Sequence, residues 1–375
     1  MSVGKEAPRV VFLIQSLGVG GAEAQLVELA TGLEDHGFRV SVMAMRAGGP
    51  LEKEIQKRGG FDYVMLGKRG RADVIRFGSR LIREVSRRRP AIVHGFMPVA
   101  NHLASIVGPL TGAKVVWGIR AAFIDFRHYD AASRILFGTG RVLSNQPDLI
   151  IANSTAGRDY HRSKGYNASK MVVIPNGIDY ERFRPRPEAR KNVRKEWGIP
   201  ASAPVIAIVG RLEPMKGHST FLRAAGTVAR HSEAHFVCIG DGPAAYRNEL
   251  QAIAVDAGCA DRVHWPGVSS DMPSAYAGMD VLVSASLGEG FSNVVGEAMA
   301  SDVRCVVTDA GDSANIVGDT GIVVPIGDSD AMAAGILRLL GRGSAPTASP
   351  RERVTTHFSR ERMVTATASA LRRLL

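Results

Sequence analysis

Three stretches of the 375-residue chain place chemistry-bearing side chains in loops that follow apolar runs. The sharpest is Glu289-Gly290-Phe291-Ser292-Asn293-Val294-Val295-Gly296-Glu297, with one acid in the loop and the other about a turn into the helix that the loop opens. A helix start offers unpaired backbone N–H groups and a positive dipole end, suited to a phosphate or a hydroxyl-rich ligand. Flanking carboxylates accept hydrogen bonds from hydroxyls. The same residues also fit a plainer arrangement, in which Glu297 complements the helix dipole and Glu289 is solvated. The second stretch is Gly210-Arg211-Leu212-Glu213-Pro214-Met215-Lys216-Gly217. Its two cations, five residues apart at a strand's end, can clamp a diphosphate, Arg through fixed donors and Lys through a mobile charge. A solvated loop would read alike.

The third stretch, Gly18-Val19-Gly20-Gly21-Ala22-Glu23, lets backbone approach a ligand closely, although a bare tight turn fits it too. It is not the dinucleotide fingerprint G-x-G-x-x-G. Glu23 stands where the third glycine belongs, and the second strand ends in Met45-Arg46 rather than in an acid for a ribose. His94, at the end of another strand, is a lone histidine of the kind that more often serves structure than a cleft.

The elements that must position these residues alternate regularly. Arg9 to Gln15 reads as a buried strand, Ala22 to His36 as a helix stopped by Gly37, and Arg39 to Met45 as the next strand. This is the repeat of a doubly wound parallel sheet. Strands follow at Tyr63–Leu66, Ile92–His94, Val115–Ile119, Leu149–Ala152 and Val172–Ile174, with a basic helix over Val74–Arg89 and another capped by Asn153-Ser154. Pro175-Asn176-Gly177 and the charged stretch Asp179 to Trp197 read as the domain junction. The rhythm then restarts, with strands at Val205–Val209, Ala234–Ile239, Val263–Trp265, Val281–Ser284 and Arg304–Thr308 and helices at Ser219–Arg230 and Ala244–Ala257. Gly341 to Pro350 reads as a flexible linker before a terminal helix, Phe358 to Leu375. Two α/β domains with a cleft between them follow, since ligands bind at the carboxyl ends of parallel strands.

Length and composition agree. A chain of 375 residues exceeds one hydrophobic core, and 45% apolar with 22% charged residues is ordinary for a globular protein. The most apolar stretch, Ala91 to Leu110, contains His94, Pro98, Asn101 and His102 and is rejected as a spanning helix. Val10 to Ile14 is too short for a signal-peptide core. Cys238, Cys259 and Cys305 are odd in number, widely spaced and without Cys-x-x-Cys, which fits reduced thiols in the cytoplasm and no zinc site. The net charge of +11 is uneven: residues 1–174 carry 25 Lys and Arg against 14 Asp and Glu, and residues 175–375 carry 22 against 22. A basic domain attracts an anionic membrane face, a nucleic acid or a phosphorylated substrate, and a merely solvated surface is the plain alternative.

In order and spacing these motifs resemble glycosyltransferase family 4, the retaining GT-B glycosyltransferases, over nearly the whole chain. The matching residues are Gly20-Gly21-Ala22-Glu23, Ile174-Pro175-Asn176-Gly177-Ile178-Asp179, Gly210-Arg211-Leu212 through Lys216-Gly217, Gly240-Asp241-Gly242-Pro243, and the Glu-x7-Glu motif from Glu289 to Glu297. The resemblance implies a GT-B fold, two Rossmann-like domains facing across a cleft. The acceptor-side domain would span 1–175, with helix 358–375 packing back onto it, and the donor domain 176–357. It implies that Arg211 and Lys216 bind the donor diphosphate and stabilise the departing nucleotide without a metal, and that Glu289 contacts the donor sugar. Phe291, Ser292 and Asn293 would frame sugar and phosphate at the helix start, Glu297 would hold the ribose, Gly210, Gly290 and Val294 would belong to the donor site, and the base would sit near Val268. Gly20 and Gly21 would close over the phosphates. Many members carry a histidine after the strand read here as Val115 to Ile119; this chain has Arg120 there. Arg cannot act as a base, so it would bind a donor or acceptor oxygen, with His94 as a candidate substitute.

The expected activity is sugar transfer from a nucleotide-diphosphate sugar, such as a UDP sugar, to an acceptor hydroxyl, with retained anomeric configuration. The expected setting is polysaccharide or glycolipid assembly, with no cofactor and no nucleic acid. A lipid-linked sugar at the inner face of the cell membrane is the leading acceptor, with the enzyme cytoplasmic and peripheral there. A nucleotide-sugar epimerase of the same fold and a nicotinamide-dependent oxidoreductase are the rival readings. A non-catalytic sugar-nucleotide binder is a further one, disfavoured by the clamp and the two acids.

Overall fold

The computed structural model describes residues 7–18, 20–49, 51–52, 55, 61–70, 73–122, 131–341 and 346–375. Val19 of the glycine loop and residues 342–345 of the expected linker lie outside the described residues. The chain divides into two compact units, Met1–Gly177 with Arg360–Leu375, and Ile178–Ser359.

In the first unit, β1 (Arg9–Ile14) leads into α1 (Gly21–Asp35), followed by β2 (Arg39–Ala44), β3 (Asp62–Met65) and α2 (Val74–Arg88). Then come β4 (Ile92–Phe96), α3 (Pro98–Thr111), β5 (Lys114–Ile119), α4 (Ala131–Leu143), β6 (Leu149–Ala152), α5 (Thr155–Ser163) and β7 (Met171–Val173). The strands form one parallel sheet in the order β3-β2-β1-β4-β5-β6-β7. Runs such as RVVFLI form central strands because helices cover both faces and both side-chain rows are buried. On one face Phe12, Phe96 and Val116 pack against Leu26 and Leu29 of α1; on the other Leu13 and Trp117 pack against Ala104 and Val107 of α3.

The second unit runs α6 (Pro187–Glu196), β8 (Val205–Val209), α7 (His218–Ala229), β9 (His235–Ile239), α8 (Ala244–Asp256), β10 (Val263–Gly267) and α9 (Met272–Ala277). It continues with β11 (Val281–Ser284), α10 (Asn293–Ala300), β12 (Arg304–Thr308), α11 (Ser313–Val317), β13 (Ile322–Val324), α12 (Ser329–Leu339) and α13 (Pro350–His357). Its parallel sheet is ordered β10-β9-β8-β11-β12-β13. Each sheet reverses its strand order beside its first strand, at β1/β4 and at β8/β11, where α/β folds bind ligands outside the carboxyl ends of strands.

Four readings need correction. Asp179 to Trp197 is not the junction, which falls at Gly177/Ile178; most of that stretch is α6 and packs within the second unit. β13 was not foreseen, because three residues at an edge give too short a period to read. The terminal helix starts at Arg360 as α14 (Arg360–Arg372), and Phe358 stays behind in the second unit's core, its ring 5.5 Å from that of Phe291. α14 packs on α1, where Gly32 leaves room for Val364. With α14 included, the first unit holds 29 Lys and Arg against 15 Asp and Glu, and the second 18 against 21. Finally, β4 runs on to Phe96, so His94 is interior to its strand. Among the described residues no helix is long and apolar enough to cross a membrane.

Candidate functional site

In the second unit the loops after β8 and β11 meet. Gly217, at φ 67°, ends the first; a β-carbon there would come within 1.9 Å of the Ala285 carbonyl oxygen. Only glycine permits that approach. The Leu287 N–H then donates to the Met215 carbonyl at 2.9 Å. This contact brings Lys216 Nζ to Glu289 Oε1 at 2.5 Å, with the lysine stem lying beside Gly210. Ser286 Oγ donates to the same carboxylate oxygen at 2.8 Å, and the Ser286 carbonyl is itself held by Thr308 Oγ1. The Lys216 and Glu289 side chains remain 27% and 14% exposed, so the pair is reachable.

The loop turns from Glu289 into α10. Ser292 is the N-cap, and its side chain makes no capping hydrogen bond. Gly311 at φ 61° packs under this turn, where a β-carbon would clash with the Glu289 carbonyl. Glu297 Oε2 accepts from Tyr276 Oη at 2.8 Å. Burial raises the Glu297 carboxyl to about 7, against the lowering pull of that hydrogen bond and of Arg182. Near neutrality it therefore exchanges between a donor and an acceptor of hydrogen bonds.

The structure thus joins Lys216, Glu289, Gly210 and the start of α10 at Ser292 and Asn293. Gly290 lies buried in the turn, and Val294 offers its carbonyl toward Tyr276 Oη at 3.5 Å. Arg211 is not brought to this group: its side chain is 75% exposed and held by Glu213 at 2.9 Å. Phe291 is turned into the core, so only its backbone can frame a ligand. Val268 is 66% exposed at the end of β10.

Sequence reasoning missed Ser286, Tyr276 and His218. His218 is fully buried at the first position of α7, and neither ring nitrogen has a hydrogen-bond partner among the described residues. Burial, and then Lys216, hold its pKa down to about 4, so it stays neutral. Its position directly after Lys216-Gly217 was the available signal.

In the first unit, Gly20 is the extended N-cap of α1, and the Glu23 carboxylate folds back over it. His94 is wholly buried between the rings of Phe12 and Phe96, at 5.0 and 5.1 Å. Arg120 follows β5, donates through Nη1 to Asn176 Oδ1 at 3.1 Å and stacks 4.0 Å above Phe96.

Two such sheets, with an acid-flanked helix start beside a lysine at the second one's switch point, define a GT-B protein, and comparison with known proteins agrees. The family description "Glycosyltransferase Family 4" matches residues 19–182, and "Glycosyl transferases group 1" matches residues 203–342. The chain belongs to this glycosyltransferase family. It is similar to the GDP-mannose-dependent alpha-(1-6)-phosphatidylinositol monomannoside mannosyltransferase of Mycobacterium tuberculosis (strain CDC 1551 / Oshkosh). The two are 30% identical over 247 residues, 62% of this chain and 63% of that protein's length. It is also similar to the lipopolysaccharide core biosynthesis mannosyltransferase LpsB of Rhizobium meliloti (strain 1021), 28% identical over 65% of this chain and 71% of that protein. Among solved structures, Anabaena Alr3699/HepE in complex with UDP and glucose superimposes with a TM-score of 0.85 at 21% identity, over 97% of this chain and 99% of that one. At that identity the likeness speaks to the fold.

Proposed function

We propose that this chain is a retaining glycosyltransferase that moves a sugar from a nucleoside-diphosphate sugar to an acceptor hydroxyl. The observation that carries the reading is Lys216 on Glu289 beside the start of α10. A diphosphate seated at that helix start takes up Lys216 as counter-ion, and Arg211 swings in from its exposed loop. As the bond from the anomeric carbon to the diphosphate oxygen breaks, negative charge grows on the leaving group. The fixed N–H groups and the two cations stabilise it without a metal. Glu289, freed from Lys216, accepts from sugar hydroxyls, and Glu297 from the ribose. The acceptor oxygen bonds to the anomeric carbon on the face the diphosphate leaves, and its proton departs with the diphosphate. With UDP- and GDP-sugar panels, Lys216→Ala lowers kcat/KM roughly 10²–10³-fold and Arg211→Ala roughly tenfold, both with unfolding temperatures near wild type. Near-normal turnover in Lys216→Ala refutes the clamp, and an inverted product anomer by NMR refutes retention.

The acceptor is a glycan or lipid-linked sugar met at an anionic membrane face. The first unit's surplus of cations supports this, as does α2. Val74 and Ile75 at its start are 63% and 86% exposed, beside Arg76, Arg80, Arg83 and Arg87. Apolar side chains among cations are the pattern of an interfacial helix. Sedimentation with phosphatidylglycerol vesicles at low salt tests it: wild type pellets and Ile75→Asp with Arg76→Glu pellets several-fold less. A wild type that stays in the supernatant removes the membrane from the reading.

A further inference from the structure

The carboxyl edge of the first unit's sheet holds polar groups that the protein leaves unsatisfied. In register, Phe96 of β4 lies opposite Gly118 of β5, and His94 opposite Val116. Side chains alternate along a strand, so His94, Phe96, Gly118 and Arg120 share one face. Gly118 puts no side chain on that face. A β-carbon there would stand 3.1 Å from the Gly95 carbonyl oxygen and 3.5 Å from both Arg120 Nε and His94 Nε2, so the two nitrogens flank the same glycine. Both nitrogens are buried, and neither has a hydrogen-bond partner among the described residues; His94 Nδ1 is in the same condition.

This is a costly arrangement. Arg120 stays charged, and among the described residues it donates to one neutral amide oxygen, on Asn176, and stacks on the face of Phe96. Burial pushes the guanidinium down to about 9, and burial first, then the charge of Arg120, hold His94 neutral. A desolvated guanidinium persists where something compensates it, and a carboxylate or phosphate oxygen matches its fork. Next to it, Met97 takes φ 71°, a strained conformation for a residue with a side chain and one that clusters at ligand sites.

We propose that Arg120 binds an anionic oxygen, a carboxylate or phosphate carried by the substrate itself, and so selects an acidic sugar over a neutral one. The proposal rests on the glycosyltransferase reading. Gly118 adds no side chain between the two nitrogens, Phe96 and Asn176 fix the guanidinium, and neutral His94 supplies a second hydrogen bond. The anion has two sources, the donor sugar or the acceptor.

Isothermal titration separates them. One arm compares UDP, UDP-glucose and UDP-glucuronate, and GDP, GDP-mannose and GDP-mannuronate. The other titrates methyl glucoside, methyl glucuronide and glucose 6-phosphate with UDP or GDP saturating. In one arm the anionic probe binds roughly 10–100-fold more tightly than its neutral counterpart. Arg120→Gln abolishes that preference and leaves the affinity for the free nucleoside diphosphate within about twofold. The arm that shows the preference identifies the carrier. Equal binding of acidic and neutral probes in both arms, or a preference that survives Arg120→Gln, overturns the proposal. If neither UDP nor GDP binds, the glycosyltransferase reading falls and takes this one with it. Without ligand, Arg120→Gln unfolds at or above the wild-type temperature, because it removes an uncompensated cation; a fall of more than about 4 °C would mark a structural arginine and also overturn the proposal.

Discussion

Each unit holds an arginine with buried nitrogens, and the two are treated in opposite ways. Arg194 of the second unit has a side chain only 2% exposed. It donates to Asp280 at 2.6 Å and to the carbonyls of Gly278, Ala201 and Ala203, while Asp280 also accepts from Arg190 and from the Val205 N–H. Each guanidinium nitrogen of Arg194 finds a fixed acceptor, and the pair ties α6 to the start of β8. Among the described residues Arg120 has an amide oxygen and a ring, with Nε left over. A charge satisfied from within serves the fold. On our proposal Arg120, left short among the described residues beside a glycine, serves something that arrives from outside.

The same contrast orders the consequences. Removing the counter-ion in the second unit strands a buried cation, so Asp280→Ala loses about 3–5 kcal/mol in urea unfolding. A loss below about 1 kcal/mol would erase the distinction between the two arginines. Arg120→Gln moves stability the other way or not at all, as set out above. Glu297 provides a smaller and pH-dependent effect. Its carboxyl titrates near 7 in the folded chain against 4.5 when unperturbed. The folded state therefore holds the proton more tightly than the unfolded one, and stability falls as pH rises from about 4.5 to about 7. Glu297→Gln keeps an acceptor for Tyr276 without this loss. It is more stable than wild type by roughly 1–3 kcal/mol at pH 8, with the difference gone below pH 4.5. A pH-independent difference in denaturant midpoint would show that Glu297 is not held up by burial.

Much of the architecture was legible from local pattern. Uninterrupted apolar runs, each ended by a turn and followed by a helix, require a parallel sheet with helices on both faces, and both sheets follow from it. The placement of Lys216 and Glu289 in loops after strands, and of Glu297 in the helix that follows, was legible as well, because apolar runs and turn residues mark the strand ends. The readings that failed turned on packing. Phe291 stands in the motif but faces the core, since its backbone forms the turn while its ring fills space beside Phe358. Phe358 and Ser359 remain with the second unit while Arg360 joins the first, a division set by which core each side chain enters.

The sequence by itself determined the alternation of strands and helices, the concentration of cations in the first unit, and the residue types available at each strand end. These depend on neighbours along the chain, where period and turn chemistry act. The tertiary structure alone decided which of those residues meet. Gly217 brings Lys216 against Glu289 across 73 positions of sequence, and Gly118 stands beside a nitrogen of His94 from β4 and one of Arg120 from the end of β5. Whether a charge is compensated depends on the burial around it and on the partners that distant segments bring, and neither is written in the spacing of residues.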